Sequence, residues 1–135
     1  MRSVLCIDDD ETSRALVRLL LRARPDTSLL EAGDGRTGLA IARAQRPDVI
    51  VLDLRLPDLY GGDVLVALGT APETTDIPVL LVSGDEAPAF ATHYLRKPID
   101  PGVFLSVLDD LLGQRRGRPF DTSHLEAADG VRSRR

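Results

Sequence analysis

Two short apolar runs, "DVIVL" at residues 48–52 and "PVLLV" at residues 78–82, constrain the fold of this chain more than any other feature. After the leading Asp or Pro each is continuously apolar, without the alternation of a half-exposed strand. Such runs suit strands covered on both faces, as in a parallel sheet between two helical layers. Residues 4–7, "VLCI", form another apolar run, too short for a helix. Residues 28–31 read as a strand and residues 94–95 as a shorter one. Helical spacing separates them. Residues 11–23 carry Ala15, Leu16, Leu19, Leu20 and Ala23 on one face and stop near Pro25. Residues 35–46 form a second helix, ended by the turn before Pro47, and residues 62–68 a short third. Pro101 suits the first turn of a last helix reaching about residue 112, striped by Val103, Phe104, Val107, Leu108, Leu111 and Leu112. Strands alternating with helices predict an α/β domain over residues 1–112. From residue 113 to 135 the periodicity dissolves into charge, Gly and Pro, as expected of a flexible charged tail.

Composition excludes several classes. A chain of 135 residues, 43% apolar, suits one globular domain, and with three Phe, two Tyr and no Trp its core must be aliphatic. A formal charge of −4 argues against a nucleic-acid surface, which needs a basic patch. Cys6, the one cysteine, lies in an apolar run and reads as a buried thiol in a reducing compartment. No stretch approaches the roughly 20 apolar residues that span a bilayer. Residues 8–11 interrupt the first apolar run with acids, which is not a signal-peptide layout. The expectation is a cytoplasmic protein.

In doubly wound sheets the functional crevice lies beyond the carboxyl ends of the strands. Asp8, Asp9 and Asp10 follow the first strand, Asp53 follows "VIVL", and Ser83 follows "PVLLV". All should meet on one edge. An acidic run by itself is more often a solvated turn or a helix cap. Carboxylates converging from separate strands are another matter, because crowding resists their ionisation unless a cation joins them. A hard divalent ion such as Mg²⁺, held by one or two carboxylates and waters, meets that need. Lys97, in "YLRKP" after the last strand, can supply further positive charge to phosphoryl oxygens. Asp53 is the best candidate nucleophile, since a carboxylate can accept a phosphoryl group as an acyl phosphate.

The stretches "VLCIDDDETSR", "PDVIVLDLRLPDLYGGDVL", "IPVLLVSG" and "YLRKPID", in that order over about residues 3–112, resemble the receiver domain of two-component response regulators. The resemblance implies a flavodoxin-like sheet of five parallel strands in order 2-1-3-4-5. It implies that Asp8 and Asp9 handle Mg²⁺, that Asp53 is the phosphoacceptor, and that the carbonyl of Arg55 is a further metal ligand. Ser83 matches the hydroxyl that turns toward the phosphoryl group, Lys97 the family's lysine, and Tyr94 the aromatic that changes position on activation. Pro57 and Gly61 match the loop after the phosphoacceptor, and the bond before Pro98 is often cis in the family. The donor would be a histidine kinase or phosphotransfer protein, because neither His93 nor His124 sits in a recognisable phosphotransfer helix. A downstream protein effector, of unknown identity, would read the switch.

One departure stands out. Only fourteen positions separate Ser83 from Lys97, fewer than the family usually has, so its fourth helix is expected to be truncated or absent. The chemistry is expected to survive this, but the family's usual output face is not. Two other classes fit less well: an interaction module no longer controlled by phosphorylation, and a metal-dependent small-molecule phosphotransferase, for which no glycine-rich phosphate loop is present. Arg55 and Asp85, two residues beyond Asp53 and Ser83, are expected to rim the site, where the resemblance implies positions that tune hydrolysis of the acyl phosphate. Either a contact between them screens the attacking water, or they are two exposed charges that contribute little.

Overall fold

The computed structural model describes residues 1–115. Five strands and four helices follow in the predicted order: β1 (Arg2–Ile7), α1 (Glu11–Leu20), β2 (Thr27–Ala32), α2 (Gly35–Gln45), β3 (Val49–Leu52), α3 (Gly61–Thr70), β4 (Val79–Ser83), β5 (Tyr94–Arg96) and α4 (Pro101–Arg115). The strands form one sheet in the order β2-β1-β3-β4-β5, and every neighbouring pair is parallel.

Alternation along the strands divides the core in two. Val4, Cys6, Val49, Val51, Leu80 and Val82 face one layer, where Val17 and Leu21 meet Phe104, Leu108, Leu111 and Leu112 of α4. Leu5, Ile7, Ile50, Leu52 and Leu81 face the other, against Ala42 of α2 and Val64 and Leu68 of α3. Burial on both faces is why the central strands read as unbroken apolar runs.

Local chemistry sets the element ends. Asp10 caps α1 by accepting from the Thr12 N–H at 3.1 Å, and Asp34 caps α2 by accepting from Thr37 at 2.7 Å. Arg46, in the left-handed region at φ 47°, ends α2. The first helix stops at Leu20 rather than residue 23, because Leu21–Ala23 tighten into a 3-10 turn before Pro25. Asp48 lies outside β3, its carboxylate accepting the Ser3 N–H at 2.8 Å. The third helix is longer than its expected span of 62–68. The last helix runs through Gly113 to Arg115, three residues past its expected end. Its start is fixed by the Asp100 carboxylate, which accepts the Val103 N–H at 2.9 Å. A two-pronged pair of Arg24 with Asp109, at 2.9 and 2.7 Å, ties its flank to the 3-10 turn. The rest of the expected tail, residues 116–135 with His124, lies outside the described residues.

Residues 84–93 contain no helix. This segment folds back on the second core layer through Ala91, while Phe90 sets its ring edge-on to Tyr60, centroids 6.5 Å apart. The absence of side chain at Gly62 makes room for both rings, since a Cβ there would lie 2.8 Å from Tyr60 and 3.2 Å from Phe90.

Phe104 is wholly buried and joins α4 to the first core layer. Phe104→Ala is expected to cost about 3–5 kcal/mol in urea unfolding. A loss near 1 kcal/mol would mean that α4 contributes little to the domain.

Candidate functional site

The backbone of the site extends the sheet by one step past the strand ends. The Asp8 N–H donates to the Ala32 carbonyl at 3.0 Å, the Asp53 N–H to Ile7 at 3.0 Å, and the Lys97 N–H to Ser83 at 2.8 Å. Each side chain therefore leaves from a fixed position on the same edge.

Lys97 joins two of the three carboxyl-bearing positions. Its Nζ lies 3.0 Å from Asp8 Oδ2 and 3.4 Å from Asp53 Oδ2. Asp8 and Asp53 are buried and Asp9 is exposed, yet one oxygen from each of the three lies within 4.8 Å of the others. One ammonium against this cluster leaves negative charge uncompensated. Burial first, then the neighbouring Asp8 charge, pushes the Asp53 carboxyl above its ordinary range, and Lys97 offsets only part of this. Burial alone would lower Lys97, but its bond to Asp8 and the nearby charges of Asp53 and Asp8 together raise it. Three hard oxygen donors short of positive charge fit a divalent cation such as Mg²⁺.

Ser83 is buried at the end of β4, its Oγ accepting the Asp85 N–H at 3.4 Å. The Tyr94 hydroxyl donates to the Asp85 carbonyl and lies 3.3 Å from that of Ser83. Arg55 turns its guanidinium to the Asp85 carboxylate at 2.5 Å, so the expected rim contact exists, while its own N–H approaches Asp53 Oδ1 at 3.4 Å. Asp85 thus meets Ser83, Tyr94 and Arg55 through three different groups. The Lys97–Pro98 bond is cis. Gly61 donates its N–H to the Leu54 carbonyl at 2.6 Å, and a Cβ there would come within 2.8 Å of the Asp53 carbonyl. Only glycine lets the loop close that tightly behind Asp53.

Two supporting residues escaped the sequence reading. Asp58 accepts the N–H groups of Gly35 and Arg36 at 2.7 and 3.0 Å, fastening the loop after β3 to the start of α2. Arg14 reaches the Asp8 carbonyl at 2.6 Å. Neither contact follows a local spacing that the sequence displays. Cys6 lies beneath the site, its thiol pushed up to about 12 by burial and then by the charge of Asp8.

Comparison with known proteins decides the family. The response regulator receiver domain family matches residues 4–108. This chain belongs to that family. The receiver is 29% identical over 120 residues to the protein PilH of Pseudomonas aeruginosa, covering 83% of this chain and 98% of that one. The polar-differentiation response regulator DivK of Brucella anthropi is 31% identical, with 83% and 97% covered. The probable transcriptional regulatory protein TcrX of Mycobacterium tuberculosis is 42% identical over 85 residues, but the receiver spans only 35% of its length. Among solved structures, the chemotaxis response regulator CheY4 of Vibrio cholerae superposes with a TM-score of 0.74 at 28% identity, covering 82% of this chain and 98% of that one. The chain is therefore a two-component receiver domain, a signalling module of a kind that typically accepts a phosphoryl group. Among the described residues, no helix is long and apolar enough to cross a membrane.

The raised Asp53 carboxyl carries a linkage consequence. Its charged form costs more in the folded than in the unfolded chain, so stability is lost as pH rises through its folded pKa. Asp53→Asn is expected to raise the melting temperature at pH 7 without divalent ions, and the gain should vanish below the ordinary carboxylate value of about 3.9. Mg²⁺ should stabilise the wild type more than the variant. An Asn variant less stable than wild type at neutral pH would contradict this electrostatic reading.

Proposed function

We propose that this receiver accepts a phosphoryl group on Asp53 from a phosphohistidine of a histidine kinase or phosphotransfer protein, and that the acyl phosphate alters binding of a downstream protein. The observation that carries the reading is the Lys97 ammonium within reach of both Asp8 and Asp53. An Asp53 carboxylate oxygen attacks phosphorus in line, the O–P bond forms, and the N–P bond breaks with its electron pair leaving on the donor imidazole. Lys97 offsets charge on the phosphoryl oxygens. Asp8, Asp9, Asp53 and the Arg55 carbonyl would hold Mg²⁺, which supplies charge neutralisation and alignment when bound.

The Ser83 hydroxyl then donates to a phosphoryl oxygen and moves away from the Asp85 N–H. The turn that Tyr94 grips through the Asp85 carbonyl shifts with it, and Tyr94 follows as a shift between two populations. Water hydrolyses the acyl phosphate slowly. The Arg55–Asp85 pair spans the mouth and hinders that water. A reducing, cytoplasmic setting agrees with the lone buried Cys6. The short segment 84–93 favours one other reading, an interaction module free of phosphoryl control.

Incubation with Mg²⁺ and a small phosphodonor such as acetyl phosphate or phosphoramidate, followed by intact mass, separates the two. Wild type is expected to gain one phosphoryl unit, Asp53→Asn none, and Lys97→Ala to react about 10²–10³-fold more slowly. No adduct, together with no Mg²⁺ binding, would leave the phosphorylation-independent module. Arg55→Ala is expected to shorten the lifetime of the adduct severalfold. An unchanged lifetime would remove the screening role.

A further inference from the structure

Every polar atom of Asp8 is engaged. Its N–H donates to Ala32, Oδ1 accepts the Asp10 N–H at 2.9 Å, Oδ2 accepts Lys97, and its carbonyl accepts Arg14 Nη1 at 2.6 Å. That carbonyl lies in the planar peptide joining Asp8 to Asp9, so whatever holds it also fixes the direction in which the chain leaves toward Asp9. Asp9 itself is exposed.

Arg14 is suited to the task. Its side chain is only 18% exposed, one turn into α1. Besides the Asp8 carbonyl, its planar fork reaches Glu31 on β2 through Nε at 3.1 Å and Glu11 through Nη2 at 2.5 Å. The three donors thus connect β2, the start of α1 and the acidic loop. Arg18 joins the same two carboxylates, through Nη2 to Glu31 at 2.7 Å and to Glu11 at 3.3 Å, without touching Asp8. Two guanidinium groups face two carboxylates, so the network is balanced in formal charge, and what distinguishes Arg14 from Arg18 at the pocket is its bond to the Asp8 carbonyl.

We infer that Arg14 is a positioning residue for divalent-cation binding, holding the Asp8–Asp9 peptide so that both carboxylates face the cation. The inference rests on the proposed Mg²⁺-dependent function and names a residue outside its ligand set. Groups that orient metal ligands typically alter affinity 10–100-fold when removed.

The test is calorimetric titration of the 135-residue chain with Mg²⁺ for wild type, Arg14→Ala, Arg14→Lys and Arg18→Ala, with melting temperatures measured beside it. Arg14→Ala is expected to raise the Kd for Mg²⁺ about tenfold, Arg14→Lys by less, and Arg18→Ala not at all. With acetyl phosphate as donor, Arg14→Ala should need more Mg²⁺ for half-maximal phosphorylation yet approach the wild-type rate at saturation. Should Arg14→Ala fail to fold, Arg14→Lys carries the test, since it keeps the charge and loses the fork. Wild-type affinity in both Arg14 variants would overturn the inference alone, as would equal weakening by Arg18→Ala, which would make the network merely structural. A wild type that binds no Mg²⁺ would overturn this inference and the proposed function together.

Discussion

The Lys97 ammonium between Asp8 and Asp53 is the contact on which the rest of the site depends. Burial and the neighbouring Asp8 charge make the Asp53 carboxyl resist ionisation, and the one ammonium only partly relieves it. The fold supplies the arrangement because its parallel strands all end on one edge. Asp8 follows β1, Asp53 follows β3, and Lys97 follows β5, each with its amide pinned to the neighbouring strand. Two apolar layers, one on each face of the sheet, back that edge with close-packed side chains. The residual negative charge suits the cleft to a divalent cation, and under the proposed function that cation and Lys97 together would draw the phosphoryl group.

Much of this was legible in the sequence, for a physical reason. Burial on both faces turns each central strand into an apolar run, and the polar residue ending each run falls on the functional edge. Asp8, Asp53 and Ser83 could therefore be located before their contacts were known, and Lys97 from its place after the last strand. What stayed hidden depends on groups without a local period. Arg14 bonds a backbone carbonyl, which leaves no residue pattern. Asp58 fastens α2 from another loop, and the Tyr60–Phe90 contact joins residues thirty positions apart. The end of α4 was missed because Gly113 reads as a breaker, yet the helix, with Leu111 and Leu112 buried before it, passes through that glycine.

The missing crossover helix changes how a signal could leave the site. In its place lies a short segment held by the Tyr94–Asp85 contact, the Arg55–Asp85 pair and the packing of Phe90 and Ala91. Two of these grips converge on Asp85, whose N–H also meets Ser83. Under the proposed function, a displaced Ser83 hydroxyl would act on this segment directly, with no intervening helix to move. The exposed faces of Tyr60 and Phe90, each about half accessible, border the same segment.

The most direct test of the central claim is an amide NMR titration of the wild-type protein in Mg²⁺ with beryllofluoride, a tetrahedral mimic of a phosphoryl group. Saturable shifts at Asp53, Ser83 and Lys97, with Tyr94 and Asp85 moving at the same ligand concentration, are the expected result. Silence at Asp53 and Ser83 throughout the titration would contradict the account.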